Sequence, residues 1–316
     1  MVQNVPSRLE AVLVASNPLN AAVPARHYAA LIFLAVLWSS SFLVIKIAVE
    51  TIPPLTLTAI RLFVAMAFLW VILIIKGEKL PTSGRAWFMC ALVGFFGNVL
   101  PFSLISWGEE VVSSGLTAIL MAMMPLSTVL LAHFFTEGDR LTPQRSLGIA
   151  IGFLGVVILV GPSVLSGVGD DALRQLAIAA AGISYGVTTV IARNMPESSV
   201  LGRSVVIMLT GFLQLIPFTL WIEKPWTLSP STEAIVFAIH LGVMPTALAS
   251  LIYLHLIAKR GAGFMAYINY LIPIMGVIWG ASILGEEVTP QAMAALGAIV
   301  IGLFVANIRR SERRSR

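Results

Sequence analysis

The stretch GLTAILMAMMPLSTVLLAHFFTEGDRLTPQ (115–144) has a counterpart in GFMAYINYLIPIMGVIWGASILGEEVTPQ (263–291). In both copies a proline, Pro125 or Pro273, follows the first glycine by ten positions. An acidic residue and then a Thr-Pro-Gln triplet close each segment. Because the matching features occur in the same order, the pattern indicates a duplicated unit rather than a chance recurrence of small residues.

The register of the two copies extends beyond these segments. Gly94 and Gly242 each precede the first glycine of their copy by 21 positions. Downstream, both copies enter an apolar segment with a Leu-Gly pair, which is Leu147-Gly148 in the first copy and Leu296-Gly297 in the second. The period is roughly half the chain, which predicts two similar halves.

The composition places the chain in a membrane. Of its 316 residues, 58% are hydrophobic and 11% are charged, and the mean hydropathy is +0.93. A soluble chain has about 25% charged residues, so this one lacks the polar surface to face water. The single cysteine, Cys90, excludes an intrachain disulfide. The net charge of +5 does not indicate a nucleic-acid partner, because most basic residues flank the apolar segments.

Ten apolar segments approach the ~20 residues that cross a bilayer as a helix. We predict spans near 28–49, 54–75, 85–107, 113–135, 143–161, 172–194, 199–222, 232–258, 262–284 and 290–308. The predicted organisation is a cytoplasmic N-terminal tail (1–26), a first five-helix repeat (27–161), an outer linker (162–171), a second five-helix repeat (172–308) and a basic cytoplasmic tail (309–316). The fold class is therefore an all-α integral membrane protein.

The basic residues predict the orientation. With the N-terminus inside, the outer loops contain only Arg174 and Lys224. The inner segments contain Arg8, Arg26, Lys76, Lys79, Arg85, Arg140, Arg145, Arg193, Arg203, Lys259, Arg260, Arg309, Arg310, Arg313, Arg314 and Arg316. Because each repeat has an odd number of spans, the two repeats must be inverted relative to each other, as in many transporters that alternate between two access states.

Only two basic residues lie within spans, Lys46 and Arg61, and the acids fall in loops, tails or the last turn of a helix. A charge within a membrane is costly, and its default interpretation is functional. Lys46 has alternatives, since it lies one turn before Glu50 and can pair with it or extend toward the headgroups. Without a carboxylate at mid-membrane, we expect that transport does not require stoichiometric proton exchange.

Polar and aromatic residues in the spans form the predicted substrate-binding set. The first span has a polar belt at its middle, and the third and eighth spans are interrupted by prolines whose freed carbonyls can line a wet cavity. Serines in such helices also pack against neighbours or bond to their own backbone, which is the alternative. The set is Trp38, Ser39, Ser40, Phe42, Lys46, Asn98, Met121, Tyr185, Thr246, Tyr253, Tyr267, Asn269 and Tyr270.

The two halves also predict ion pairs at opposite ends of the bundle. A proline precedes an arginine by seven residues at the start of the second span, with Arg61, and again before Arg203 in the seventh. We expect Arg61 to pair with Glu286 or Glu287 at the outer end, and Arg203 with Glu137 at the inner end, as gates or braces. The alternative is that these charges mark helix ends at the headgroups.

No catalytic or metal-binding pattern is present in the sequence. The four histidines lie toward span ends without ligand-like spacing, and there is no Walker A loop, Gly-x-Ser-x-Gly or His-Glu-x-x-His motif. We therefore expect neither a metal site nor a cofactor. An integral-membrane enzyme is disfavoured, because no set of catalytic residues is visible.

Several motifs resemble the drug/metabolite transporter superfamily, specifically its ten-span EamA-type members. The resemblance covers about residues 28–308. Its motifs are Trp38-Ser39-Ser40-Ser41-Phe42, Pro54 through Arg61, Gly115 to Pro125, Glu137-x3-Leu141-Thr142, Gly148-x6-Gly155, Gly263, Pro273 and Glu286. Four-span multidrug relatives use a glutamate in the first span, whereas this chain has Trp38-Ser39-Ser40 there, which argues against proton-coupled drug antiport.

The resemblance implies export of amino acids or other small metabolites. Hydroxyl and amide groups with few fixed charges suit a small, polar, nearly neutral solute. We therefore predict an inner-membrane exporter of amino acids or similar metabolites that works by alternating access. Uptake of a metabolite and efflux of a hydrophobic toxic compound remain alternatives. The expected partners are the solute and the lipid bilayer, without nucleic acid, and the expected assembly is a monomer or homodimer.

Overall fold

The computed structural model describes residues 24–135, 141–165 and 170–307, and these residues are helical apart from short connections. Ten helices are long and apolar enough to cross a membrane. Their bounds are α1 Ala25–Ala48, α2 Pro54–Lys76, α3 Gly84–Glu109, α4 Ser114–Phe135, α5 Pro143–Gly161, α6 Asp171–Arg193, α7 Val200–Glu223, α8 Thr232–Gly261, α9 Gly263–Ile283 and α10 Pro290–Asn307. The predicted number and positions of the spans are confirmed.

The packing of the helices follows a pseudo-two-fold relation between α1–α5 and α6–α10. Helix α1 packs against α8 and α9, and its counterpart α6 packs against α3 and α4. In the same way, the α2–α8 contact has its counterpart in the α7–α3 contact. In three further contacts a helix packs against its own equivalent in the other repeat. These are α2–α7, α4–α9 and α5–α10. Most contacts between helices therefore join the two repeats rather than the helices of one repeat.

Helices α3 and α8 each contain a π-helical segment, Phe95–Val99 in α3 and Gly242–Leu248 in α8. These segments occupy equivalent positions in the two repeats. Pro101 and Pro245 explain them, because proline has no N–H for the carbonyl four residues earlier. In a π-helical segment, that carbonyl accepts a hydrogen bond from the N–H five residues later instead. The backbone groups therefore keep hydrogen-bond partners inside the membrane.

Both π-helical segments also present a carbonyl to a neighbouring helix. The Ser184 hydroxyl of α6 donates to Phe96 O in α3, at 2.6 Å. The Trp38 indole N–H of α1 donates to Pro245 O in α8, at 3.1 Å. The two bonds join the counterpart pairs α6–α3 and α1–α8, so the duplicated irregularity binds one repeat to the other at both places.

The contact between α5 and α10 depends on glycine. A Cβ at Gly148 would lie 2.4 Å from Ala306 N, and a Cβ at Gly302 would lie 2.5 Å from Gly152 N. The two backbones are therefore in direct contact, as in other membrane helix pairs with small residues at the interface. Gly297, which the sequence pattern aligned with Gly148, has nothing within 4 Å of its Cβ position. The residue that faces Gly148 is thus Gly302.

The turn between α8 and α9 also requires glycine. Gly261 has φ +76° and ψ 173°, a conformation that is open almost only to glycine. The change of direction is completed between Gly261, the last residue of α8, and Gly263, the first residue of α9.

We predict that Gly302→Ala destabilises the bundle and that the matched variant Gly297→Ala does not. Alanine improves helix propensity by up to about 1 kcal/mol at either position, but only at 302 does its Cβ meet backbone atoms. Overpacking of this kind costs about 1–3 kcal/mol. Thermal unfolding of the two purified variants in the same detergent measures the difference. Equal Tm values would contradict the close backbone contact.

Candidate functional site

The centre of the bundle contains a buried arginine, Arg61, in the second turn of α2. Its Nε donates to Thr246 Oγ1 at 2.7 Å, and that hydroxyl donates in turn to Leu241 O at 2.7 Å. The Leu241 carbonyl lies four residues before Pro245 and has lost its α-helical partner. Because Pro245 leaves this carbonyl free to accept from Thr246, the Thr246 hydroxyl is held in place and in turn holds the Arg61 guanidinium.

Four N–H groups of Arg61 remain available. The guanidinium carbon lies 3.6 Å from the centroid of the Phe102 ring, so the planar group stacks on α3. Tyr185 of α6 is an electrostatic neighbour. Among the described residues, Nε is the only guanidinium nitrogen with a hydrogen-bond partner, although the side chain is 6% exposed. A buried cation with free donors can bind an anionic group.

Glu109 is the second buried charge. It ends α3 and is 0% exposed, and neither carboxylate oxygen has a hydrogen-bond partner within the described part of the chain. Its charged neighbours are Lys46, Glu286 and Arg61. The Thr117 hydroxyl is also close to it but donates to Ser113 O at 3.0 Å. The sequence analysis left no acid in the interior of the bundle, and for Glu109 that was wrong. Position in the last turn of a helix did not imply exposure, because α1 and α4 cover this end of α3.

Lys46 does not pair with Glu50. Its ammonium donates to Glu109 O at 2.7 Å and to Val112 O at 3.0 Å. These carbonyls lie at and just beyond the C-terminal end of α3, where a cation compensates the negative end of the helix dipole. Lys46 was predicted to contact the solute, but its ammonium is already bound to these backbone carbonyls.

Glu286 caps helix α4. Its carboxylate accepts from Ser114 N at 2.7 Å and from Gly115 N at 2.9 Å, the first amides of that helix. A Cβ at Gly280 would lie 2.1 Å from Oε2 of Glu286, so the carboxylate fits only because position 280 is a glycine. We call this end of the bundle, where α1, α3, α5, α7 and α9 end, the Glu286 end. Here a residue of the second repeat binds the backbone of the first.

A second glutamate does the same at the same end. Glu223, the last residue of α7, accepts from Leu55 N at 2.9 Å, Thr56 N at 2.6 Å and Thr56 Oγ1 at 2.7 Å. These groups belong to the first turn of α2. Two carboxylates of the second repeat thus hold the N-terminal ends of two helices of the first repeat.

The predicted outer ion pair is not formed. Arg61 binds Thr246 and stacks on Phe102, while Glu286 binds the amides of α4 and Glu287 is exposed. The reason is that helix N-termini offer Glu286 two backbone donors, which the sequence pattern did not reveal. Glu137, the predicted partner of Arg203, lies outside the described residues. Arg203 is half-buried, and its Nη1 donates to Pro196 O at 3.3 Å.

The polar belt of α1 is directed mostly toward protein atoms. The Ser39 hydroxyl is fully buried and accepts from Trp279 Nε1 of α9, at 2.9 Å. Ser40 donates to the carbonyl of Leu37 in its own helix, at 3.4 Å. Phe42 belongs to the apolar core. The contacts of these three residues are thus packing and hydrogen bonding within the protein, which was the alternative to substrate contact.

The aromatic residues of α8 and α9 separate into different environments. The ring of Tyr253 lies 5.6 Å from that of Trp38, on the same side of α8 as the bond to Pro245. Tyr267 is 58% exposed at the bundle surface. The Tyr270 hydroxyl donates to Leu303 O of α10 at 3.0 Å. Tyr267 therefore lies at the bundle surface and Tyr270 is bound to α10, and their contact with solute stays a prediction.

The remaining predicted residues are buried or half-buried inside the bundle. Asn98 is buried within the π-helical segment of α3. Tyr185 is half-buried between two apolar clusters, one around α1 and the other around α2 and α7. Met121 is half-buried where α4 is interrupted, and Asn269 is half-buried in α9. Together with Thr246, the residues Asn98, Met121 and Tyr185 stay candidates for solute contact.

Sequence reasoning missed three residues with defined roles. Glu109 follows Phe102 by seven positions and so lies on the same face of α3, which was a usable signal. Trp279 lies four residues before the end of α9, where a tryptophan is expected at the membrane interface, so its bond to Ser39 had no signal in the sequence. Glu223 had no such signal, because an acid before Lys224 and Pro225 looks like an ordinary helix end. Within the described residues, no group of three or more His, Cys, Asp or Glu side chains can hold a metal ion.

Ten membrane helices in two inverted repeats, with buried charges where the repeats meet, define a polytopic membrane transporter architecture. The model of the EamA-like transporter family matches residues 26–161 and again residues 173–308. The chain belongs to this family. Each of the two matched segments contains one five-helix repeat.

The chain is also similar to curated proteins over most of its length. It is 26% identical to an uncharacterized inner membrane transporter, YedA, of Escherichia coli K12, over 89% of this chain and 90% of that protein. It is 25% identical to a probable terminal-alkyne amino-acid exporter of Streptantibioticus cattleyicolor, over 90% and 94%. A solved crystal structure superposes with a TM-score of 0.63 at 20% identity, covering 90% of this chain and 97% of the other, which supports the fold.

We predict that Glu286→Ala loosens the start of α4, whereas Glu287→Ala, its exposed neighbour, does not. Hydrogen bonds to a charged group contribute about 1.5–3 kcal/mol, so amide exchange across residues 114–120 should rise about tenfold to a hundredfold. Hydrogen–deuterium exchange of both variants in nanodiscs, read by mass spectrometry, provides the measurement. Unchanged protection in Glu286→Ala would show that the cap does not hold this helix.

Proposed function

We propose that this protein exports amino acids or similar small polar metabolites across the inner membrane by alternating access of its two repeats. The observation that carries the proposal is the guanidinium of Arg61, which is buried but has four N–H groups without a partner among the described residues. A carboxylate is the anion that such a planar, forked donor binds best.

The position of Arg61 suits a transported solute. The side chain lies on α2 of the first repeat, and its hydroxyl partner Thr246 lies on α8 of the second. Phe102 of α3 and Tyr185 of α6 complete the surroundings, so each repeat contributes two elements. A solute bound between inverted repeats becomes accessible to either side as the repeats move relative to each other.

The relatives support the same solute class. One is named as a probable amino-acid exporter and another as an inner membrane transporter, and each aligns with about nine-tenths of this chain. The distribution of basic residues favours cytoplasmic N- and C-termini, which places the Glu286 end outside. The partners in this proposal are the solute and the lipid bilayer, and the protein acts as a monomer or homodimer without a cofactor.

Flux into proteoliposomes tests the solute class. We expect at least one member of a panel of radiolabelled L-amino acids to exchange across the membrane, and we expect Arg61→Gln to reduce that flux at least tenfold. Arg85→Gln removes the same charge at an exposed position and should transport normally. Both variants are first checked for monodispersity, because Arg61 also packs on α3. Flux of hydrophobic cations without any amino-acid flux would favour toxin efflux instead.

The direction of transport requires a separate measurement in cells. Expression should protect a dipeptide-fed strain from the amino acid that accumulates inside it, because the released amino acid leaves the cell. Matched cells that express Arg61→Gln should remain sensitive. Faster accumulation of the labelled amino acid from the medium, with no protection, would indicate an importer.

A further inference from the structure

The carboxylate of Glu109 is buried without a partner that uses its oxygens. Both oxygens are enclosed, and neither has a hydrogen bond within the described residues. A buried carboxylate usually accepts hydrogen bonds or pairs with a cation, because losing its hydration is costly. The Thr117 hydroxyl lies close to this carboxylate but donates to Ser113 O at 3.0 Å, and the nearby Lys46 ammonium donates to backbone carbonyls.

The neighbouring charged groups are committed elsewhere. The Lys46 ammonium donates to the backbone carbonyls of residues 109 and 112. The Arg61 Nε donates to Thr246, and the Glu286 carboxylate accepts from the amides of α4. On the α6 side, Arg174 pairs with Glu110, the neighbour of Glu109 in the chain. The cluster of Lys46, Arg61, Glu109 and Glu286 is neutral when all four are ionised.

The end of a helix favours a cation at this place. Glu109 closes α3, where the helix dipole is negative and a carboxylate is itself unfavourable. Lys46 donates hydrogen bonds to the carbonyls at this helix end, but the Glu109 carboxylate oxygens do not accept from it. An additional small cation with several donors, such as an ammonium group, satisfies those oxygens.

The spacing along α3 matches a small zwitterion. Arg61 stacks on Phe102, and Glu109 follows Phe102 by seven residues on the same face. The rise over seven helical residues is about 10 Å. An α-amino acid with one hydrogen bond at each end spans about 8–9 Å. Arg61 and Glu109 lie close enough for the charge of each to affect the other.

We propose that Glu109 binds the ammonium group of the solute whose carboxylate binds Arg61, so that the transported class is zwitterions with a free amine. This proposal rests on the proposed function and narrows its solute from polar metabolites in general. The two charges come from different helices of the first repeat, α2 and α3. Thr246 of the second repeat fixes one of them.

Competition binding tests the role of Glu109. The probes are radiolabelled L-threonine, L-leucine and L-phenylalanine, each competed by the unlabelled amino acid, its N-acetyl derivative and its carboxamide. For the wild type we expect the free amino acid to compete at least tenfold better than the N-acetyl form. In Glu109→Gln this ratio should fall to about one, while discrimination against the carboxamide persists. In Arg61→Gln the pattern should be the reverse.

Two further variants control the interpretation. Glu110→Gln removes the adjacent acid, which pairs with Arg174, and should keep the wild-type ratio. Glu109→Asp keeps the charge on a shorter side chain, and a partly retained ratio there separates ammonium recognition from a folding defect. A folded Glu109→Gln protein with the wild-type ratio, or a wild type that binds N-acetyl and free amino acids equally, overturns the proposal. The probes are extended to every amino acid of the flux panel if these three do not bind, and binding of none of them would instead contradict the proposed function.

Discussion

A lipid bilayer offers no hydrogen-bond partner to a backbone group or a charge, and the rest of this structure depends on how that constraint is met. Pro101 and Pro245 each leave a carbonyl of their own helix without its usual N–H donor. As a result, both repeats contain a π-helical segment at this place. Carbonyls of these segments accept bonds from Ser184 and Trp38. The same irregularity in α8 directs Thr246 to Arg61. The interruptions of the helices therefore connect the repeats and position the central cation.

At the Glu286 end, the charged side chains of Lys46, Glu223 and Glu286 bind backbone groups rather than one another. Glu223 and Glu286 of the second repeat bind the first amides of α2 and α4. Lys46 binds the carbonyls at the end of α3. Opening this end would separate a carboxylate from a helix N-terminus, which is a larger loss than breaking an exposed ion pair of about 0–1 kcal/mol.

The proposed binding of a solute between Arg61 and Glu109 would give a transporter with few titratable residues a basis for discriminating among solutes. Arg61 has free donors and Glu109 has free acceptors, and both lie where water is excluded. In such surroundings a missing partner is costly, so a solute without a matching group is rejected more strongly than it would be at a surface.

The sequence by itself determined the class of protein, the ten spans and their inverted duplication, because hydropathy and the glycine–proline register are local or periodic properties. It also identified Arg61, Thr246 and Tyr185, since polar residues in apolar spans are conspicuous. Only the tertiary structure decided that Gly302 rather than Gly297 contacts Gly148, that Glu286 caps α4, and that Glu109 is enclosed. These outcomes depend on which helices are neighbours, and burial at a helix end is set by the elements that pack over it, not by its position in the chain.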